Sequence, residues 1–318
     1  MTPEQQEGPF QRVDNSCLEL IKLGWTSILG WPKWPPKEVP PSTEWFRNEV
    51  CLLPTRPLRK GLCTVTIDGT PHAGKTTLEN KLQQYYSVPD SPMGFYSINP
   101  DEIYAKRDQE LFFLANSVFA PYLSNIDRED LSLYTMGELS DGFSWYNQLF
   151  LQLLKSKYWD RIIRREIPFY GDQKKYLVLG QRGPIDQTVF CHALAAHIQD
   201  PDYAIPEQFR HTFQEYYQLF LIQALLDVAY MDAVVIIGTS QGVAQERRQK
   251  MGRSKGVAFS PFFQDLSAWY GYCVEKVLPQ LHKKYGVGVL VLDGTKPIDE
   301  NYEILDHYTR GVQDRCFM

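Results

Sequence analysis

The chain has 318 residues, 43% hydrophobic and 22% charged, with a net charge of −5 and an isoelectric point near 5.7. That length holds one to two domains; the acidic balance argues against a dedicated nucleic-acid binder, whose footprint is usually basic, and no apolar run reaches a membrane span. No charged-then-apolar leader opens the chain, and its six cysteines form no C-x-x-C pair, so a secretory signal, a zinc site and a disulfide framework are not expected and the expected address is a reducing cytoplasm.

Residues 1–58 hold four of the seven tryptophans (Trp25, Trp31, Trp34, Trp45) and nine of the 21 prolines. Proline at that density breaks helix and central strand into short pieces, while so many indoles seek cover from water. The segment reads as a non-repetitive extension packed across a main domain of residues 59–318, with a short helix near 15–23. An arm that binds a partner is the alternative.

The apolar run 62–67 reads as a buried strand. Directly after Asp68 comes Gly69-Thr70-Pro71-His72-Ala73-Gly74-Lys75-Thr76, a G-x-x-x-x-G-K-T phosphate-binding loop, and Thr77 continues into a helix expected over 75–86. A strand, a glycine-bounded turn and a helix start are the context this motif requires. Main-chain N–H groups and a helix N-terminus converge there, so an anion meets several donors and a favourable dipole. Lys75 would reach the β- and γ-phosphates and the Thr76 hydroxyl would ligate Mg²⁺. ATP and Mg²⁺ are therefore the expected cofactors, held by residues 69–77.

Further strands are expected at 94–98, 176–179, 233–237 and 287–292, short and rich in Val, Ile or Leu as parallel strands covered on both faces are. Helices are expected at 145–166, 188–198, 207–230, 241–250 and 262–284. Strands separated by helices imply right-handed crossovers and a doubly wound parallel sheet, whose ligands bind beyond the carboxyl ends of the strands.

Those ends carry the polar candidates. After the second strand, Asn99-Pro100-Asp101-Glu102 suits a general base, with Asp101 the first choice and Glu102 on the substrate; a helix N-cap is the duller role. After the third, Gln181-Arg182-Gly183-Pro184-Ile185-Asp186 offers an arginine fork to phosphate or to the acceptor. Asp186 would hold a magnesium water or a substrate hydroxyl, or else cap the next helix. After the fourth, Arg247, Arg248 and Arg253 lie in a glycine-punctuated stretch that suits a lid over 239–260, closing out water and clamping the phosphoryl group; a solvated helix face is the alternative. The last strand ends at Asp293-Gly294, a small turn against which a nucleobase could lie. Gln148 and Gln152 share a face of the 145–166 helix by i,i+4 spacing, and glutamine amides can read a base edge. The six histidines show no metal-ligand spacing, so no metal is expected beyond the nucleotide's Mg²⁺.

Across residues 60–312 this ordered set resembles the thymidylate kinase and deoxynucleoside kinase group of P-loop phosphotransferases. The resemblance lies in D-G-T-P-H-A-G-K-T-T, in the run from Met231 through Arg247-Arg248 to Met251-Gly252-Arg253, in Val291-Leu292-Asp293-Gly294, and in Gln181-Arg182-Gly183 where the group has Asp/Glu-Arg-Ser or Asp-Arg-Tyr. It implies a three-layer α/β P-loop NTPase fold: a parallel five-stranded sheet in order 2-3-1-4-5 flanked by helices, with a lid and a helical insertion at 103–174. It implies Arg182 near the acceptor's reacting oxygen, Asp101 or Glu102 as the family's catalytic or substrate-binding acid, and Gln148 or Gln152 as its base-reading glutamine. Two features depart from the pattern. Gln181 replaces the acid that helps hold magnesium, and the proline-rich extension has no counterpart in the compact members.

The expected function is transfer of the ATP γ-phosphoryl group to a small acceptor, a nucleoside or nucleotide first. The alternatives are a kinase of another acceptor (a polynucleotide 5′ end, a sugar nucleotide, a metabolite) and a nucleotide-binding regulatory protein without turnover. A GTPase is disfavoured because no N-K-x-D motif is present. No membrane partner is expected, and a homodimer stays open.

Overall fold

Strand β4 (Leu62–Gly69) is buried along all eight residues, and its alternation explains the layers on either side. Cys63, Val65 and Ile67 face a core shared with Leu78, Leu82 and Tyr86 of helix α1 (Lys75–Tyr86) and with Leu305, Tyr308, Val312 and Cys316 of helix α6 (Ile298–Phe317). The intervening Thr64, Thr66 and Asp68 are equally buried yet polar, so each needs a partner. Thr64 N–H and Oγ1 both donate to Asp232 Oδ2 at 2.8 Å, and the Asp232 N–H donates to the Thr64 carbonyl at 3.0 Å. On this second face lie α2 (Pro184–Gln199) and α4 (Phe262–Tyr272), which pack on each other.

The computed structural model describes residues 27–28, 31–32, 44–55, 61–87, 93–98, 175–199, 231–252, 257–259 and 262–317. Two short strands, β1 (Ser27–Ile28) and β2 (Trp31–Pro32), pair antiparallel with each other. The main sheet contains β3 (Val50–Leu52), β4, β5 (Met93–Ile98), β6 (Lys175–Gln181), β7 (Ala233–Gly238) and β8 (Gly288–Asp293), in the order β3-β8-β7-β4-β6-β5. Every pairing is parallel except β3 with β8.

The fold is thus α/β with a mostly parallel sheet, and the expected five-stranded order is corrected to six strands with an antiparallel edge. The added strand comes from the N-terminal segment. Three residues are too few to show a period, which is why Val50-Cys51-Leu52 gave no strand signal; Tyr308 OH secures the Leu52 carbonyl at 3.0 Å.

Helix α1 and helix α3 (Gln241–Lys250) fall where the sequence placed them. Helix α2 begins at Pro184 rather than 188, because proline's fixed φ suits a first turn; Asp186 therefore lies inside that turn and does not cap it. The helix expected over 262–284 is interrupted by a π turn at Cys273–Val277 before α5 (Leu278–Tyr285). Pro279 has no N–H to give the Glu275 carbonyl, so the regular i→i−4 ladder cannot run through it. Helix α6 had no sequence-based expectation. The expected helices at 15–23, 145–166 and 207–230 lie outside the described residues.

Residues Trp45–Arg47 form a 3₁₀ turn over the β7–β8 end of the sheet. Trp45 and Phe46 are buried. The Trp45 ring stacks on Tyr270 at 5.8 Å between centroids, and its Nε1 donates to Ser267 Oγ at 3.2 Å. Gly238 makes room for them: a Cβ there would lie 2.6 Å from Trp45 Cη2. Truncating a buried aromatic leaves a void its neighbours only partly fill, so Trp45→Ala should cost roughly 3–5 kcal/mol of folding stability. Urea unfolding of the two proteins measures this; a loss within ~0.5 kcal/mol would mean the segment is not part of the core.

Candidate functional site

The turn Thr70–Gly74 sits at the carboxyl end of β4, between the strand and the first residue of α1. Gly69 has φ of 137°, and a Cβ there would collide with the Ile237 carbonyl oxygen. The turn is pinned on that side: Thr70 N–H donates to the Ile237 carbonyl at 3.0 Å, and Thr70 Oγ1 accepts from the Thr239 N–H at 3.0 Å. His72 and Gly74 also take positive φ, 60° and 103°, the kind of backbone turn from which anion-binding nests are built. The first bond of α1 runs from Leu78 N–H to the Gly74 carbonyl at 3.1 Å. Gly74 provides no side-chain cap, so the N–H groups of Lys75, Thr76 and Thr77 precede the helical ladder and face the turn. Lys75 folds back over it, donating from Nζ to the carbonyls of Gly69 at 2.5 Å and Thr70 at 2.9 Å. Burial lowers the lysine's pKa, the Arg182 charge lowers it further, and Asp186 and Asp68 act against both. The site is a tight turn leading into the N-terminus of α1, with an ammonium across it.

Two buried carboxyl groups lie beside this turn, and one of them holds it. Asp186 Oδ1 accepts the Gly69 N–H at 2.7 Å and also the hydroxyl of Tyr270. Asp68 Oδ1 accepts the Gly183 N–H, and Oδ2 lies 3.4 Å from Thr66 Oγ1. Burial pushes the Asp68 carboxyl well above its ordinary 3.8; the Asp186 charge adds to the rise, which the Gly183 N–H, Lys75 and Thr66 only partly offset. Burial beside Asp186 likewise raises the Tyr270 phenol, which stays protonated and donating. Through Tyr270 and Asp186, the stacked Trp45 of the N-terminal segment is linked to Gly69 at the start of the turn.

A second polar set lies on the β6 side. Thr76 Oγ1 donates to Gln181 Oε1 at 3.2 Å, Gln181 Nε2 donates to Glu79 Oε2, and Ser97 Oγ donates to Glu79 Oε1 at 2.6 Å. Glu79 and Gln181 are buried, whereas Thr76 is exposed.

The arginines surround the mouth. Arg182 is exposed and takes φ of 51°, a conformation that disfavours a side-chain-bearing residue by about 1 kcal/mol or more. Its own N–H donates to the Ile67 carbonyl at 3.2 Å, and the next N–H is held by Asp68, which fixes the kink. Arg247 bridges the site, donating to the carbonyls of His72 at 3.1 Å and Gly294 at 2.6 Å; burial lowers its pKa. Arg248 donates to His72 Nε2 at 3.1 Å. Helix α3, the described start of the expected lid, is therefore docked on the turn. Asp293 Oδ1 accepts from both the N–H and the hydroxyl of Thr295, at 2.8 and 2.6 Å, and Gly294 N–H donates to the Gly238 carbonyl at 2.7 Å.

Of the residues the sequence singled out, the structure brings together Gly69, Thr70, Pro71, His72, Ala73, Gly74, Lys75, Thr76 and Thr77 with Arg182, Asp186, Arg247, Arg248, Asp293 and Gly294. Asp101, Glu102, Gln148, Gln152 and Arg253 lie outside the described residues. Sequence reasoning passed over Asp68, Glu79 and Tyr270. A carboxylate ending an apolar strand and an acid three residues past Thr76, on its own helix face, were available signals for the first two. Nothing local marked Tyr270, some 200 residues away. Among the described residues no cluster of three His, Cys, Asp or Glu could hold a metal, and no helix is long and apolar enough to cross a membrane.

No family model matches the chain and no curated protein does. Among solved structures, the chain is similar to a deoxyadenosine kinase from M. mycoides with bound dATP, at 15% identity and a TM-score of 0.45, over 77% of this chain and 98% of that one.

The buried carboxyl makes one pH-dependent expectation. With its folded pKa raised, Asp68 keeps a proton that the unfolded chain releases above 3.8; the folded state then binds more protons, and stability falls as pH rises from there to the folded value. Asp68→Asn keeps the acceptor for Gly183 N–H and removes the titration. Upward from that pH, the wild-type denaturation midpoint should fall relative to the variant's. Parallel curves would show that burial does not hold the proton.

Proposed function

We propose that the chain is an ATP-dependent phosphotransferase that moves the γ-phosphoryl group to a small acceptor, a nucleoside or nucleotide first. The observation that carries this reading is the tight positive-φ loop with Lys75 folded across it, flanked by Arg182 and Arg247 at the carboxyl end of a parallel sheet. Phosphoryl transfer asks a protein mainly for positioning and for compensation of charge on the transferring group. The loop N–H groups and Lys75 would bind the β- and γ-phosphates. Arg182, held at the strand end by a fixed backbone kink, would meet the charge that develops between donor and acceptor oxygens. Arg247 and Arg248 would exchange their contacts with His72 and Gly294 for the nucleotide, so that α3 closes over it and water is excluded. Asp186 anchors the loop through Gly69 and thereby serves binding from beneath.

A magnesium ion fits the donor set: Thr76 and Gln181 present two neutral oxygens side by side, and a hard cation takes oxygen ligands while keeping several waters. Bound there with the nucleotide, it would neutralise phosphate charge. The acceptor class rests on the sequence resemblance, because the base-reading and general-base candidates lie outside the described residues. Gln181, standing where the resembled family has an acid, also keeps a regulatory nucleotide binder in view.

ADP formation from ATP and Mg²⁺, followed across nucleosides, nucleoside monophosphates and 5′-hydroxyl oligonucleotides, tests the reading. A kinase shows acceptor-dependent ADP; tight ATP binding without stimulated turnover supports the regulatory alternative. Lys75→Ala should abolish transfer and weaken ATP binding. Arg182→Ala should lower kcat on the order of 10³-fold with little change in ATP affinity; an unchanged kcat would remove Arg182 from the mechanism.

A further inference from the structure

The chain from Thr76 through Gln181 to Glu79 and Ser97 has a fixed polarity. An ionised carboxylate only accepts, so the Gln181 group facing Glu79 must be the NH₂, and the carbonyl must face Thr76. Ser97 Oγ donates to the other Glu79 oxygen at 2.6 Å, which holds that carboxylate in place. Glu79 lies three residues after Thr76 on one face of α1, so one helix supplies both the hydroxyl and the group that orients its neighbour. The result is two oxygens, Thr76 Oγ1 and Gln181 Oε1, 3.2 Å apart, with the hydroxyl in the exposed part of the site. Adjacent ligands of a Mg²⁺ octahedron with metal–oxygen bonds of roughly 2.1 Å are about 3.0 Å apart. The hydroxyl's proton now spans that gap; a cation would replace it with little motion of either oxygen.

We propose that Glu79 and Gln181 form the protein's half of a divalent-cation site at Thr76. The neutral Gln181 carbonyl is the ligand, and the buried Glu79 carboxylate is the positioning residue that aims it. This rests on the nucleotide-binding reading above and adds to it. In this chain the negative charge sits one residue back from the cation, on the helix, and the strand end contributes an amide. A neutral ligand binds Mg²⁺ less strongly than a carboxylate, so cation binding depends more heavily on the phosphates of the nucleotide.

The arrangement can be exchanged. In Gln181→Glu/Glu79→Gln the same hydrogen bond forms with its direction reversed, now placing a carboxylate beside Thr76. In Glu79→Gln alone the neighbour can donate as well as accept, so the Gln181 amide is free to turn its NH₂ toward Thr76. The readout is the Mg²⁺ concentration for half-maximal enhancement of fluorescent ATP-analogue binding, with each protein's affinity in EDTA as its own reference and a melting curve to show folding. Glu79→Gln should raise that concentration several-fold, and the double exchange should lower it below wild type, on the order of tenfold. Identical Mg²⁺ curves for the three proteins would overturn the proposal while leaving nucleotide binding intact, as would a double exchange that behaves like the single variant. A wild-type protein that binds no ATP analogue with or without Mg²⁺ would overturn both this inference and the function it rests on.

Discussion

One carboxylate oxygen joins the parts of this molecule that must agree for the site to exist. Asp186 Oδ1 takes the main-chain N–H of Gly69, at the very end of β4, and the hydroxyl of Tyr270 on α4. The strand end that sets the loop, the first turn of α2 and the helix beneath them are thereby held to one point. Charge-assisted bonds of this kind are worth more than neutral ones, and a buried acceptor stripped of its donors costs several times what the bond contributes. Asp186 lies near a second carboxyl, Asp68, whose pKa is raised by burial first and by the Asp186 charge second, and Lys75 lies within reach of both groups. The loop thus has the Asp186 carboxylate on one side, bonded to Gly69, and the Lys75 ammonium folded across the other.

The same connection gives the N-terminal segment a structural meaning. Trp45 stacks on Tyr270 and Phe46 lies against β7, while Val50–Leu52 adds an edge to the sheet. Residues 45–52 therefore belong to the fold that carries the site. Proline and tryptophan content alone indicated an irregular segment seeking apolar cover, and Trp45 finds it on α4, whose Tyr270 donates to Asp186.

Much of the site was legible because its chemistry is local. The phosphate-binding turn is written in eight consecutive residues, and a glycine at φ of 137° against another strand's carbonyl is a requirement the motif states directly. The strands β4, β6, β7 and β8 announced themselves by apolar composition, and the arginines of α3 by their number. What escaped were features that depend on distant parts of the chain. Asp186 read as a helix cap or a ligand because its partners, Gly69 and Tyr270, are remote in sequence. The sixth strand is three residues long and gains its identity only from β8. The π turn before Pro279 needed the helix ladder itself to become visible. Glu79 was within reach, since a carboxylate three residues after the motif's threonine lies on the same helix face, beside the motif's chemistry.

The account stands on the claim that the main-chain amides of residues 74–77, at the start of α1, close with Lys75 around a triphosphate. Hydrogen exchange of those amides, followed with and without a non-hydrolysable ATP analogue and Mg²⁺, addresses it most directly. Nucleotide should slow exchange across 74–77 first and most strongly, since Gly69 and Thr70 already donate to Asp186 and Ile237. Binding that leaves those amides exchanging as before, with protection elsewhere in the chain, would contradict it.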